Sequence, residues 1–261
     1  MKKIATTMIA MAMFSTAYAD DAAIEKARME WAKQYMAKQG SPIPDSGITV
    51  IPEAQMSQYK HFKKQRLKDK EDIANLGYIN KNNEEIEHLM NIKNITSHHY
   101  KRYGQDFKPT GTHLRRNINE LPMAYTFLGV PQNDMSEFLG VAPYLSYINK
   151  QGWVGAMQFF NNNEIGNCTF SENNVRLSHG AVIVAKEDAR NDVNDKTTTV
   201  QVVGTKENGF LYDVEWFDNT FFRELKCVNK EFSPTTTNLV IELAKRIDIY
   251  NSSNGNTSAT N

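Results

Sequence analysis

The spacing of hydrophobic and polar residues changes near Pro122 and divides the chain into two halves. Before Pro122, apolar residues recur every three or four positions, which is typical of helices that bury one face. After it, apolar and polar residues alternate or form short apolar runs, which is typical of β-strands. The pattern predicts an α+β fold, in which a helical N-terminal region precedes an antiparallel sheet of about six strands packed against a C-terminal helix.

Two helices and a linker are predicted in the first half. The first helix is predicted at residues 20–39, where apolar residues including Trp31 form a wide face. Residues 41–52 contain three prolines and a glycine, which indicates a linker. Residues 54–76 are strongly charged, and a second helix is predicted at residues 83–95. The inner stripe of this second helix consists of Ile86, Leu89 and Met90.

Strands and turns fill most of the second half. The clearest pair of strands flanks Asn208-Gly209, a turn dipeptide whose two residues both tolerate positive φ. After this turn, Asp213 and Glu215 share the side of the strand opposite its apolar residues. The predicted strands are residues 123–130, 153–160, 165–170, 175–178, 181–185, 197–203, 210–217 and 221–228. A helix that begins near Pro234 is predicted to bury Leu239, Val240, Leu243, Ile247 and Tyr250.

The first nineteen residues have the layout of a secretory signal peptide. Met1-Lys2-Lys3 is followed by an apolar stretch over residues 4–16 and by Ala17-Tyr18-Ala19. The apolar stretch is too short to cross about 30 Å of hydrocarbon as a permanent anchor. Because Asp20 and not cysteine follows the expected cut, the protein is not predicted to be a lipoprotein.

These patterns together predict the domain organisation and the cellular location of the protein. Residues 1–19 form the signal peptide, residues 20–120 a helical region or arm, residues 121–250 the antiparallel β-sheet domain with its C-terminal helix, and residues 251–261 a disordered tail. The short basic start is typical of bacteria. We expect a protein of a Gram-negative bacterium that is periplasmic or secreted, with no transmembrane segment after cleavage.

The net charge of zero argues against a dedicated nucleic-acid binder, but the charge is unevenly distributed. Residues 57–116 contain 13 Lys or Arg against 7 Asp or Glu, whereas residues 117–261 contain 11 against 17. One hypothesis is a basic helical arm that binds an anionic surface such as phospholipid or polysaccharide, with Lys63, Lys64 and Arg66 as candidate contacts. The favoured interpretation is a solvated helical face, or helices docked on the acidic half of the same molecule.

The only two cysteines, Cys168 and Cys227, both lie in predicted strands. Two cysteines are too few for a typical zinc site, which needs three or four ligands. An even, low number in an exported chain favours a structural disulfide. We therefore predict a Cys168–Cys227 bond, with two separate buried thiols as the alternative.

No group of residues predicts catalysis, and no catalytic, metal-binding or cofactor-binding residue is assigned. Ser178 and His179 are neighbours, but adjacent residues of a strand point to opposite faces, so a strand end or turn is favoured over a nucleophile and its base. The histidines His88, His98, His99 and His113 do not have the spacing of a helical metal site. The loop aspartates Asp188, Asp192 and Asp195 lack the calcium-loop pattern and predict a solvated turn. Trp153, Tyr212, Trp216, Phe221 and Phe222 are interpreted as core residues and, alternatively, as the lining of a sugar- or peptide-binding groove.

The sequence predicts an exported, non-enzymatic binding protein with a protein or glycan partner, a description that includes secreted effectors and host-interaction factors. One alternative is a secreted hydrolase whose catalytic residues are scattered along the chain. It requires a pocket in which His113 or His179 meets a serine or a carboxylate. A second alternative, an inhibitor of an extracellular enzyme, predicts a protruding loop.

Overall fold

The computed structural model describes residues 30, 31, 34, 47–56, 59–92, 114, 117–178 and 180–255. The chain divides into two compact units, Met1–Pro42 and Ile43–Asn261. In the first unit the described residues 30, 31 and 34 are helical, which agrees with the helix predicted there. The signal peptide and residues 256–261 lie outside the described residues, so these assignments stay predictions.

The second unit contains three helices and ten strands among its described residues. Short 3-10 turns at Glu53–Gln55, Ile118–Glu120 and Gln132–Asp134 lie between them. The helices are α1 (Tyr59–Leu76), α2 (Glu84–Met90) and α3 (Pro234–Gly255). The strands are β1 (Gly47–Ile51), β2 (Ile79–Asn80), β3 (Glu137–Ile148), β4 (Gly152–Asn162), β5 (Gly166–Asn174), β6 (Ala181–Ala185), β7 (Arg190–Val193), β8 (Lys196–Thr205), β9 (Gly209–Phe217) and β10 (Phe221–Asn229). No helix in the described part of the chain is both long and apolar enough to cross a membrane.

The α+β class is confirmed, but the predicted sheet is too small and its strands are not all antiparallel. The large sheet has eight strands in the order β2-β8-β9-β10-β5-β4-β3, with β7 beside β8. Strand β2 pairs with β8 in parallel, and the other pairs of this sheet are antiparallel. Strands β1 and β6 form a separate parallel pair. The two strands of each parallel pair lie far apart in the chain. No hairpin turn in the sequence therefore indicates that they pair.

Four local predictions are corrected by the structure. The expected linker at 41–52 contains β1, whose β-branched residues favour a strand despite the flanking prolines. Residues 123–130 make only an isolated bridge, between Met123 and Trp153, and residues 175–178 form a turn. Strand β3 was not expected because it contains glycine and Pro143, which is tolerated because β3 lies at the edge of the sheet.

The β8–β9 turn and the helices α2 and α3 lie close to where the sequence predicts them. The β8–β9 hairpin turns at residues 206–208, and Gly209 has φ of 91°. Helix α2 buries Ile86 and Leu89, although it is shorter than predicted among the described residues. Helix α3 buries Val240, Leu243 and Ile247 and continues to Gly255, into the stretch expected to be disordered.

The two faces of the large sheet differ in character. One face, which we call the helix face, carries Tyr212, Trp216 and Leu225 and packs with the buried side of α3. The alternate residues form the opposite face, which we call the polar face. At one end of the polar face, Leu211 and Val228 pack with α2, and further along this face the side chains become charged.

A buried ionic network lies on the helix face. Arg223 of β10 is 3% exposed, and its Nε donates to the Glu172 carboxylate of β5. Its Nη1 donates to Asp218 Oδ2 at 2.9 Å and to Asp248 Oδ1 of α3 at 3.5 Å. Asp248 also accepts from Trp216 Nε1 at 3.0 Å and forms an ion pair with Lys196. The network therefore joins α3 to four strands and a turn of the sheet.

The predicted disulfide is confirmed. Cys168 of β5 and Cys227 of β10 are directly opposite each other in the antiparallel register and are bonded, with no exposed surface on either residue. The bond closes a chain segment of 59 residues on the helix face of the sheet. No cysteine is free.

Replacing both cysteines by alanine is expected to lower the free energy of unfolding by about 4 kcal/mol, because the unfolded chain loses its cross-link. Urea unfolding of the wild type and of Cys168→Ala/Cys227→Ala, followed by circular dichroism, measures the difference. Thiol titration of the native, non-reduced wild type is expected to detect no thiol. Two reactive thiols after unfolding without reductant would contradict the assignment.

Candidate functional site

Four charged side chains meet on the polar face near the middle of the sheet. Asp213 and Glu215 lie on β9, and Glu224 and Lys226 lie on β10. All four occupy alternate strand positions, so their side chains point to the same side of the sheet. The β9–β10 register places Glu224 opposite Glu215 and Lys226 opposite Asp213. We call these four residues the acidic cluster.

The three carboxylates of the acidic cluster share one ammonium group. Asp213, Glu215 and Glu224 each place an oxygen within 4.8 Å of the others. The Lys226 Nζ lies 3.0 Å from Glu224 Oε1 and 4.0 Å from Asp213 Oδ2. It also lies 3.3 Å from Glu85 Oε2 of α2. Three carboxylates thus lie within 4.0 Å of one ammonium group, and the fourth, Glu215, lies beside Asp213 and Glu224.

Neighbouring hydroxyl groups satisfy part of the cluster but not all of it. Thr199 Oγ1 donates to Glu215 Oε2 at 2.8 Å, and Ser171 Oγ donates to Glu224 Oε2 at 3.2 Å. Asp213 Oδ1 is buried and has no hydrogen-bond partner among the described residues. A buried acceptor without a donor lowers the stability of a fold, because it has lost its hydrogen bonds to water and has formed none within the protein.

The titration of the cluster reflects this shortage of positive charge. Burial raises the pKa of Asp213 well above its ordinary value, and the charge of Glu224 adds to this effect. Burial and Glu224 also raise the pKa of Glu215, against the hydrogen bond from Thr199. Burial lowers the pKa of Lys226, but the surrounding carboxylates outweigh it and raise that pKa overall. Asp213 and Glu215 therefore ionise at a cost to the fold, which is a common property of binding and catalytic sites.

The arrangement is suited to a cationic ligand group that donates hydrogen bonds. Carboxylate oxygens at this separation are also the ligands that calcium and magnesium take. The Lys226 ammonium, however, already lies among these oxygens and supplies one positive charge. An ammonium or guanidinium group at the surface of the cluster would compensate the remaining charge and supply a donor for Asp213.

No family model, curated protein or solved structure matches this chain. The candidate site therefore depends on the geometry alone.

The candidate contact residues of the basic arm are all on α1 but have different surroundings. Lys63 and Lys64 are exposed. Arg66 donates through Nε to Glu53 Oε1 at 2.9 Å and also binds the Asp188 carboxylate. Hydrogen bonds from Arg66 and Lys70 lower the pKa of Glu53. Part of the positive charge of α1 is thus neutralised within the protein, as the interpretation of docked helices expects.

Most of the other candidates from the sequence lie outside the described residues. Ser178 lies in the turn after β5, and its buried Oγ has no partner among the described residues, whereas His179 lies outside them. His88 is on α2, but His98, His99 and His113 are also outside the described residues. The hydrolase alternative and the histidine metal site consequently stay untested.

The loop aspartates and the aromatic residues have structural surroundings. Asp188 pairs with Arg66, and Asp192 lies 2.6 Å from Arg190 Nε. Asn194 and Asp195 have positive φ and form the turn between β7 and β8. Of the five aromatic candidates, Tyr212 and Trp216 are buried in the core, and Trp153, Phe221 and Phe222 are half-buried.

Only one side of the acidic cluster is recognisable from the sequence. The alternation in β9 identifies Asp213 and Glu215 as residues that face away from the core. Their partners Glu224 and Lys226 follow a short turn in which Asp218 Oδ1 accepts from the backbone N–H groups of Thr220 and Phe221. An Asx turn of this kind sets the register of the two strands. It is therefore the sequence feature from which the pairing of the four charged residues could be inferred.

Asp213→Asn is expected to raise the free energy of unfolding at pH 7.5 and to change it little at pH 4.5. A carboxyl group whose pKa is raised in the folded state weakens the fold as the pH rises through that pKa, and each unit of difference is worth about 1.4 kcal/mol. Asparagine has the same shape and no charge, so the penalty disappears. Urea unfolding at both pH values measures the effect.

Glu207→Gln is the matched control, because Glu207 is an exposed carboxylate in the β8–β9 turn. Its removal changes the net charge equally and is expected to leave the unfolding free energy unchanged. Equal free energies of unfolding for Asp213→Asn and the wild type at pH 7.5 would contradict the inference that the ionised Asp213 carboxylate weakens the fold.

Proposed function

We propose that this chain is an exported binding protein of a Gram-negative bacterium that recognises a basic segment of a protein partner through its acidic cluster. The observation that carries the proposal is the unbalanced charge at Asp213, Glu215 and Glu224, which share a single lysine of the sheet. Like charges opposite each other in a sheet are destabilising, and a ligand that compensates them gains that free energy on binding.

A lysine or arginine side chain supplies what the cluster lacks. Its charge offsets the excess of carboxylates, and its N–H groups donate hydrogen bonds to carboxylate oxygens of the cluster. The half-buried position strengthens this interaction, because a charge pair away from bulk water is screened less than one on an exposed helix.

Two independent features support export. The first nineteen residues have the layout of a signal peptide. The Cys168–Cys227 bond is of a kind that persists in oxidising compartments and is rare in the bacterial cytosol. Periplasmic and secreted locations fit both features equally.

The basic arm is a second contact region within this proposal. Lys63 and Lys64 are exposed on α1 and therefore accessible to an anionic surface, while Arg66 is half-buried and pairs with Glu53 and Asp188. Charge reversal at Arg66 would therefore disturb the fold itself. A partner that reaches both α1 and the acidic cluster would need acidic as well as basic groups.

Export predicts a mature chain that begins at Asp20. When the complete gene is expressed in a Gram-negative host, the periplasmic or secreted protein is expected to lack residues 1–19. N-terminal sequencing of protein from each fraction measures this. Material with an intact Met1 confined to the cytosol would contradict the proposal.

Binding through the acidic cluster predicts that Glu215→Gln/Glu224→Gln has roughly tenfold weaker affinity than the wild type for a basic peptide, since two ion pairs are lost and each partly exposed pair contributes roughly 0.2–1 kcal/mol. Fluorescence anisotropy of a labelled lysine hexapeptide gives the dissociation constants. Both glutamines keep the oxygen that accepts from Thr199 or Ser171, so the fold is preserved. Added salt is expected to weaken binding.

Glu120→Gln/Glu164→Gln is the matched control, because both glutamates are exposed and the charge change is the same. It is expected to bind the peptide as the wild type does. Equal loss of affinity in both double variants would mean that net charge, and not the cluster, determines binding.

A further inference from the structure

A small pocket lies at the β2 edge of the large sheet. It has a volume of about 360 Å³. Its lining comes from the residue before β2, the β8–β9 hairpin, and the connection between β10 and α3. The lining residues are Tyr78, Lys206, Phe210, Lys230, Glu231 and Phe232.

The inner wall of the pocket is aromatic. The ring centroids of Tyr78 and Phe210 are 4.8 Å apart, and those of Tyr78 and Phe232 are 4.9 Å apart. Tyr78 and Phe210 are buried, whereas Phe232 is half-buried. A ligand would therefore contact mainly Phe232, with Tyr78 and Phe210 packed behind it, and an aromatic ligand ring would pack on Phe232 in a tilted or offset arrangement.

Local backbone contacts hold this wall in place. Gly77 ends α1 with φ of 84°, and a Cβ atom there would lie 2.7 Å from Phe232 Cζ, so glycine permits the close approach of the ring. The Tyr212 hydroxyl donates to the Glu231 carbonyl oxygen at 3.0 Å and accepts from the Ser233 N–H at 2.9 Å. Phe232 is thus fixed on both sides, and a fixed wall loses little entropy when a ligand binds.

The outer part of the pocket is cationic. Lys206 and Lys230 are exposed, and neither forms an ion pair with any of the described residues. Glu231 is the one acidic residue in the lining. A ligand that suits this distribution has a flat apolar body for the rings and a negative charge for the lysines.

We propose that the pocket binds a small aromatic anion, such as an aromatic carboxylate. The aromatic part lies against Tyr78, Phe210 and Phe232, and the anionic group points outward to Lys206 and Lys230. The volume is in the range of known small-molecule sites, at its lower end, which suits a ligand of one or two rings. This site is separate from the acidic cluster and does not depend on the function proposed above.

Isothermal titration calorimetry with 2-naphthoate tests the proposal, and 2-naphthamide serves as the uncharged ligand of the same shape. The wild type is expected to bind one 2-naphthoate saturably and to bind 2-naphthamide roughly tenfold more weakly, because the amide carries no negative charge to pair with the lysines. Lys206→Gln/Lys230→Gln is expected to bind 2-naphthoate roughly tenfold more weakly than the wild type and to bind 2-naphthamide with the same affinity as the wild type. Unfolding midpoints verify that the variants are folded.

Lys150→Gln/Lys186→Gln removes two exposed lysines elsewhere and is expected to bind 2-naphthoate as the wild type does. Phe232→Leu reduces the aromatic wall and is expected to weaken both ligands. The absence of saturable binding of 2-naphthoate to the wild type would overturn the proposal. Binding that is unchanged in both pocket variants, or reduced equally in the control, would overturn it as well.

Discussion

The buried guanidinium of Arg223 determines how the C-terminal helix sits on the sheet. It contacts Glu172, Asp218 and Asp248, which belong to β5, the β9–β10 turn and α3. Removing one partner of a buried ion pair typically costs about 3–5 kcal/mol, because the remaining charge is left without compensation. Only a helix position that brings Asp248 to Arg223, Lys196 and Trp216 Nε1 avoids this cost. The ionic network therefore selects one docking of α3 among the many that hydrophobic contact alone allows.

The orientation of the helix face also fixes what appears on the polar face. Successive side chains of a strand point to opposite sides, so burying Cys227 and Leu225 under α3 directs Lys226 and Glu224 outward. The disulfide holds β10 in register with β5 at this position. The stability of one face and the geometry of the acidic cluster thus have the same origin, and a one-residue slip of β10 would destroy both.

Local signals made much of the fold predictable. The alternation in β9, the turn at Asn208-Gly209 and the apolar stripe of α3 are all contained within short stretches of sequence. The disulfide was accessible because only two cysteines exist. Strands β1 and β2 were not predicted, since proline neighbours obscure the first and the second has only two residues. Both gain stability from parallel pairing with distant strands, for which the sequence contains no turn signal.

The sites were less predictable, because their residues meet only in three dimensions. One hypothesis made Arg66 a contact for an anionic surface, whereas the favoured interpretation included docking on the acidic half of the chain. Its partner Asp188 lies 122 residues away and cannot be found from local charge. The pocket joins Tyr78 to Phe232 in the same way. Only the β9 half of the acidic cluster could be read from alternation, and its β10 half required the strand register.

The two ionic groups of the sheet show how charges that maintain a fold differ from charges available for binding. On the helix face, Arg223 and Lys196 face three carboxylates, and each of these carboxylates has a cationic partner. On the polar face, Lys226 pairs with three carboxylates while a fourth, Glu215, lies beside them, and Asp213 retains a buried oxygen without a donor among the described residues. A fold does not need such an imbalance, and the raised pKa of Asp213 indicates that it weakens the fold. Unbalanced charge in a half-buried position is for this reason a stronger indication of a binding site than the exposed lysines of α1, whose charges water and salt already screen.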